Sequence, residues 1–180
     1  MSMYAILIPY IETEEGDCLL LEVRSMHVPQ PGEVCFPGGK IEAGETAAEA
    51  AIRETCEELS IPPSSIKISE ELAPELMEDG RRIYPVTARL SPSALDSIKP
   101  SCAEVASFFL LPLSWLKNHN PACYRLTGSR IDMENLPTIL REYLSHYAPF
   151  QNTHDTFYWE YENHGIWGMT ARVIRRLLPD

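Results

Sequence analysis

Residues 46–61 constrain this chain more than any other stretch, because both ends of one helix are written into them. Thr46-Ala-Ala-Glu49 has the form of a capping box: the threonine hydroxyl accepts from the amide three residues on, and the glutamate reaches back. Ile61-Pro62-Pro63 stops the helix, since proline lacks the amide and clashes with the preceding turn. At about 100° per residue, Ala48, Ala51, Ile52, Thr55 and Leu59 fall on one face. Glu54, Glu57 and Glu58 stand at i, i+3 and i+4 and cluster on another, roughly 120° away. A run of like charges is ordinarily a solvated face whose members repel weakly. A hard divalent cation turns that repulsion into ligation, because Mg²⁺ takes oxygen ligands and shares them with water and substrate phosphates.

Around this helix the chain alternates short strands and helices. Residues 4–9 and 18–23 read as strands joined across the polar turn 12–17, a hairpin. A turn at 36–39 leads to a short extended piece, 40–42, and then to the helix. Further strands are expected at 66–69, 82–90, 105–110 and 156–161. Pro112 leads a helix over 113–118. A second helix over 136–147 carries Leu136, Ile139, Leu140, Tyr143 and Leu144 at helical spacing, and a third runs from about 165 to 178. Strands interleaved with helices indicate an α/β class, and 180 residues suit one domain with a core of its own.

Charge and cysteine usage narrow the partners. The chain has 26 acidic and 15 basic residues, a net charge of −11. Such a balance excludes nucleic-acid polymers, which need a broad basic face. Small phosphate ligands would need a local cation to offset the field. The five cysteines are odd in number and form no Cys-x-x-Cys pair, which points to reduced thiols in the cytoplasm. The apolar run 3–11 is too short to span a membrane and lacks the flanks of a signal peptide, so no membrane partner is expected.

The segment Gly39-x5-Glu45-x7-Arg53-Glu54-Thr55-Cys56-Glu57-Glu58-Leu59-Ser60-Ile61 resembles the Nudix box, Gly-x5-Glu-x7-Arg-Glu-U-x-Glu-Glu-x-Gly-U, where U is bulky and apolar. Six glycine or charged positions coincide by chance in on the order of one window in ten million. Thr55 replaces an apolar residue and Ser60 the glycine that serves the helix end. Upstream, Leu20-Leu-Glu-Val-Arg24-Ser25, Gly32 and Phe36-Pro-Gly-Gly39 are similar to the signature of the coenzyme A diphosphatase branch. So are Ile61-Pro-Pro-Ser64 and Trp167-Gly-Met-Thr-Ala171. Within that signature Glu22 stands where the branch has threonine, its second arginine falls near Pro29, and the spacing from Arg24 to Gly32 is one residue short.

The resemblance implies a Nudix fold, an α/β/α sandwich around a mixed sheet, over residues 1–180 with an insertion at about 132–155. It implies Mg²⁺ or Mn²⁺ held by Glu54, Glu57 and Glu58, with the Gly39 carbonyl, and a water activated for attack on a diphosphate. Glu57 or Glu104 takes the proton. Arg53 pairs with a box carboxylate, while Arg24, Gly38 and Lys40 meet substrate phosphate. The substrate implied is coenzyme A or acyl-CoA, cleaved to 3′,5′-ADP and (acyl-)phosphopantetheine. ADP-ribose, NADH or a (d)NTP is the alternative within the family, and a non-catalytic nucleotide-binding module is the alternative outside it. Monomer and homodimer both stay open.

Two further readings are left open by the residues, those of the aromatics and of helix 136–147. Tyr158, Trp159, Tyr161, Trp167 and Trp115 either fill the core or stack on adenine. Among the histidines only His27 lies near the signature. Helix 136–147 either covers substrate or simply packs. Cys35 and Cys56 flank the box without any group to activate a thiol.

Overall fold

The computed structural model describes residues 2–77, 79–126, 135–147 and 152–178. Strands β1 (Met3–Thr13) and β2 (Gly16–Arg24) form the expected hairpin, longer than the hydrophobic runs because the polar ends continue the ladder to Thr13 opposite Gly16. Strand β3 (Val34–Cys35) pairs with the far end of β2, and β4 (Gly38–Lys40) lies antiparallel along the start of β1, with Gly39 opposite Ala5. Helix α1 (Ala47–Leu59) follows, then a 3₁₀ turn at Pro63–Ser65 and strands β5 (Ile66–Glu71), β6 (Glu75–Leu76) and β7 (Arg82–Leu90). β7 runs parallel to β1. A short helix α2 (Ala94–Ser97) leads to β8 (Val105–Pro112), which pairs along β2, and to α3 (Leu113–Asn118). Strands β1 to β8 make one mixed sheet among the described residues.

Alternation along β1 and β2 explains why both read as nearly continuous apolar runs. Ala5, Leu7, Cys18 and Leu20 pack toward α1 with Ala50, Ala51 and Leu59. Ile6, Ile8, Leu19 and Leu21 pack on the opposite face with Val173 and Ile174 of α5 (Gly168–Leu177). A strand covered on both faces carries no polar side to break the pattern. The result is a three-layer arrangement, helix on each side of a mixed sheet.

A second, three-stranded sheet holds β9 (Ala122–Leu126), β10 (His154–Tyr161) and β11 (His164–Trp167), and α4 (Thr138–Ser145) packs on it. Here the sequence reading needs correction. The last helix begins at Gly168, not 165, because 164–167 is a strand. Glu162 and Asn163 sit at φ 47° and 65°, the left-handed pair of a tight hairpin turn, and they fold β11 back on β10. Helix α4 falls within the expected 136–147, and the parts of the expected insertion at 132–134 and 148–151 lie outside the described residues.

The aromatics fill the core. Trp159 packs under α5, while Tyr158 and Trp167 pack against α4 with Leu126 and Leu140. Trp115 stacks on His119 at 4.3 Å between centroids, and Tyr161 meets its edge at 5.0 Å. Tyr158, Trp159 and Trp167 are buried and serve packing, while Trp115 and Tyr161 are partly buried against the core.

Candidate active site

Helix α1 begins with the capping box. The Thr46 hydroxyl accepts from the Glu49 amide at 3.2 Å, and Glu49 accepts from the Thr46 amide at 2.8 Å. The helix ends on Ser60 at φ 55°, ψ 36°, the left-handed position that a glycine would occupy without strain. Its buried residues are Ala50, Ala51, Thr55, Glu58 and Leu59. That stripe is rotated roughly 50° toward the carboxylates from the one the apolar residues indicate, at 100° per residue. Thr55 tolerates this because its hydroxyl donates to the Ala51 carbonyl at 2.7 Å.

The three carboxylates consequently do not share one solvated patch. Glu57 is 60% exposed, whereas the side chain of Glu54 is 17% exposed and Glu58 is buried. Two glycines make room for the buried ones. The Gly38 amide donates to Glu58 Oε2 at 2.8 Å. A Cβ on Gly39 would stand 2.4 to 2.6 Å from the Glu54 carboxyl atoms. Gly39 is thus the floor against which Glu54 lies.

Arg53 organises the remaining acids. It holds Glu45 bidentately, Nε to Oε1 at 2.7 Å and Nη2 to Oε2 at 3.0 Å, and donates to Glu54 Oε1 at 2.9 Å. Its Nη2 also reaches the Lys40 carbonyl at 3.0 Å, and Glu57 lies at 3.4 Å. The guanidinium beside Glu45 holds that carboxyl down to about 2. Burial pushes the Glu54 carboxyl up despite Arg53, and burial with the charges of Glu54 and Glu104 pushes Glu58 well up.

Glu104 reaches this pocket from a turn pinned at both ends. The Ser101 amide donates to the Glu58 carbonyl at 2.7 Å, and the Ser25 amide and hydroxyl donate to Glu104 and Ala103 carbonyls at 2.8 and 2.7 Å. The turn brings the exposed Glu104 carboxylate close enough to act electrostatically on both Glu54 and Glu58. Arg24 also faces the pocket, with Nε on the Pro29 carbonyl at 2.8 Å. The Lys40 side chain is exposed, and His27 lies in the exposed loop. Burial raises the Cys35 and Cys56 thiols, Cys35 to about 12, which disfavours the thiolate that a nucleophile requires.

Glu22 and the α4 contacts were not among the residues that spacing singled out. Glu22 lies in β2 on the α1 side and is 1% exposed. The signal was its parity with Cys18 and Leu20, which sends it inward. Helix α4 and the turn after it hold the loop after Arg24: Tyr143 donates to the Gly32 carbonyl at 3.0 Å, Tyr147 to Glu33 Oε2 at 3.1 Å, and Gln30 to Tyr147. A groove of about 410 Å³ lined by Ile52, Arg53, Cys56, Glu57 and Pro63 opens beside Glu57. A cavity of about 430 Å³ at Tyr10, Asp17, Arg89 and Arg176 holds none of these residues, and its Arg89 is already paired with Asp17.

The donor set suits a hard divalent cation: carboxylate oxygens and the Gly39 backbone, partly buried, with more negative charge than local cations balance. As the side chains stand, no group of three or more His, Cys, Asp or Glu among the described residues is arranged to hold an ion. The reason is visible in their partners, since Glu54 and Glu57 turn to Arg53 and Glu58 to the Gly38 amide.

A family comparison matches the NUDIX domain over residues 1–122, well over half the chain. The chain belongs to the Nudix family of hydrolases, pyrophosphohydrolases that act on small nucleotide diphosphates with divalent metal ions. It is 32% identical over 179 residues to an uncharacterized Nudix hydrolase NudL of Enterobacter sp. (strain 638), covering 96% of this chain and 79% of that one. To Nudix hydrolase 3 of Caenorhabditis elegans it is 33% identical over 181 residues, covering 98% and 72%. Among solved structures, a C. elegans Ap4A hydrolase is similar at 27% identity and TM-score 0.53, covering 62% of this chain and 80% of that one. The Nudix hydrolase RenU of M. smegmatis shares the fold at 20% identity and TM-score 0.54, over 64% and 73%. No helix among the described residues is long and apolar enough to cross a membrane.

Proposed function

We propose that this chain hydrolyses the diphosphate of coenzyme A or acyl-CoA to 3′,5′-ADP and (acyl-)phosphopantetheine, using Mg²⁺ or Mn²⁺, as one Nudix domain over 1–180 in the cytoplasm. The observation that carries the reading is the place of Arg24. The arginine of the upstream signature lies beside the box carboxylates, with its loop folded round it and held by α4. In a chain of net charge −11, that guanidinium gives a diphosphate a fixed cation next to the acids.

A divalent ion bound by Glu54, Glu57 and Glu58 would neutralise the diphosphate and activate water for attack on phosphorus. The protein's own part is positional. Arg53 fixes Glu45 and Glu54, and the Gly38 amide fixes Glu58. Glu104, or Glu57 where it is not taken up by the ion, is the exposed carboxylate that would accept the water's proton. Arg24 and Lys40 hold phosphate oxygens, and Gly38 and Gly39 let backbone approach them. Within the segment read as an insertion, Tyr143 and Tyr147 steady the substrate loop through Gly32 and Glu33. A dinucleoside polyphosphate is the second reading, favoured by the likeness to the Ap4A hydrolase.

Product chromatography on a panel of CoA, acetyl-CoA, NADH, ADP-ribose, Ap4A and dNTPs with Mg²⁺ or Mn²⁺ tests this. CoA or acetyl-CoA is expected to be consumed fastest. Faster turnover of Ap4A or ADP-ribose would overturn the substrate, and no turnover of any member would overturn the enzyme reading. Glu58→Gln should abolish turnover while leaving the circular dichroism spectrum unchanged.

A further inference from the structure

Strand β2 carries a carboxylate into the core. Cys18 and Leu20 of that strand face α1, and Leu19 and Leu21 face α5, so period-two alternation sends Glu22 to the α1 side. Its backbone is fixed in the ladder between Phe108 of β8 and Cys35 of β3. The residue is 1% exposed, and its Oε1 is buried with no hydrogen-bond partner. The charged groups around it are Glu58, Arg24 and Glu104. Of these, only Arg24 is a cation, and its hydrogen bonds go to the Pro29 carbonyl and the Cys35 sulfur. Buried carboxylates that serve packing alone are hydrogen-bonded or paired, because desolvation otherwise opposes folding. Glu22 leaves an oxygen unpartnered within reach of the charges of Glu58 and Glu104.

We propose that Glu22 is a further carboxylate of the divalent-cation site, reaching it from β2 opposite Glu58, so that the ion is held between strand and helix. The inference rests on the reading of Glu54, Glu57 and Glu58 as the cation site. It makes this chain's site one carboxylate richer than the box alone provides. It also accounts for an acid retained at a depth where a neutral residue would pack without desolvation penalty.

The test is binding of Mn²⁺ alone, without substrate, to the full chain, followed by calorimetry and by the shift in unfolding temperature that Mn²⁺ produces. Glu22→Gln is expected to weaken Mn²⁺ binding at least tenfold and to shrink the Mn²⁺-induced shift, while raising the metal-free unfolding temperature. Glu58→Gln should weaken Mn²⁺ binding as well. If Glu58→Gln weakens binding and Glu22→Gln binds like the wild type, the proposal fails and the site stands. If neither substitution weakens binding, the site reading fails and takes the proposal with it. Should Glu22→Gln not fold, anomalous diffraction from Mn²⁺-soaked wild-type crystals decides. A peak within about 2.5 Å of a Glu22 oxygen supports the proposal, and a peak on the box carboxylates without Glu22 overturns it.

Discussion

The Gly38 amide donates to Glu58 Oε2 at 2.8 Å, and this one bond joins the β4 turn to the helix of the box. It explains why a glutamate is tolerated at a buried helix position. The carboxylate exchanges water for a backbone donor that a side chain at 38 would displace. The neighbouring glycine does a different task, giving Glu54 a surface to lie on. On the proposed reading, substrate phosphate and cation would meet backbone at these same two residues.

The two glycines should fail in different ways. Gly38 has φ 149°, and a Cβ there would lie 2.3 Å from the Ala5 carbonyl oxygen. Gly38→Ala is expected to destabilise the fold by about 3 kcal/mol, since neither the strand nor the dihedral can give way easily. At Gly39 the added Cβ meets the mobile end of Glu54, which can swing aside. Gly39→Ala should unfold within about 1 kcal/mol of the wild type yet lose at least tenfold in kcat. Urea unfolding and steady-state kinetics on both variants check the contrast.

Arg53→Lys keeps the charge but cannot reproduce the fork that spans Glu45, Glu54 and the Lys40 carbonyl. We expect kcat to fall by roughly tenfold to a hundredfold with little change in KM, because the acids lose their fixed rotamers rather than their charge. A variant with wild-type kcat would show that the network serves stability alone.

Stability should fall as pH rises from about 4.5 to about 7 when no divalent cation is present. Burial pushes the Glu33 carboxyl up to about 7, from 4.5 as the ordinary value. Below 4.5 the folded and unfolded chains both hold this proton. Between 4.5 and 7 the unfolded chain releases it while the folded one retains it, so unfolding gains. The loss from pH 5 to pH 8 is expected to be about 2 to 3 kcal/mol from this group. Glu33→Gln should flatten the profile by that amount in urea titrations with chelator.

Ser60→Gly should stabilise the chain. Ser60 sits at φ 55°, where a Cβ is strained and glycine is not. After the extra flexibility of glycine in the unfolded chain is subtracted, the gain is expected to be about 0.5 to 1 kcal/mol. That corresponds to roughly 1 to 4 °C in Tm for a chain of this size, read by calorimetry with activity unchanged.

Much of the site was legible before any coordinates. The capping box, the proline stop and the spacing of Arg53, Glu54, Glu57 and Glu58 depend only on neighbours along the chain, and helix geometry carries them directly into space. The ion pairing of Arg53 follows from the same spacing, one turn and two turns away along α1 and its approach. Strands β9 and β11 were missed because they are short and their pairing partners come from elsewhere in the chain. The burial of Glu58 was missed for a related reason: an apolar stripe gives a helix's average facing, while the glycines of a strand decide how far it can turn.

The sequence by itself determined which groups are available, an acidic helix face with a guanidinium at its edge and glycines ahead of it, because these are local patterns of charge and backbone freedom. Only the tertiary structure decided which of those acids lie dry, how near the Glu104 turn comes to them, and that Glu22 is buried within reach of the charge of Glu58. The physical reason is that desolvation and charge proximity are properties of packing between elements. A residue's contribution to either is unset until the strand beneath the helix fixes the distance.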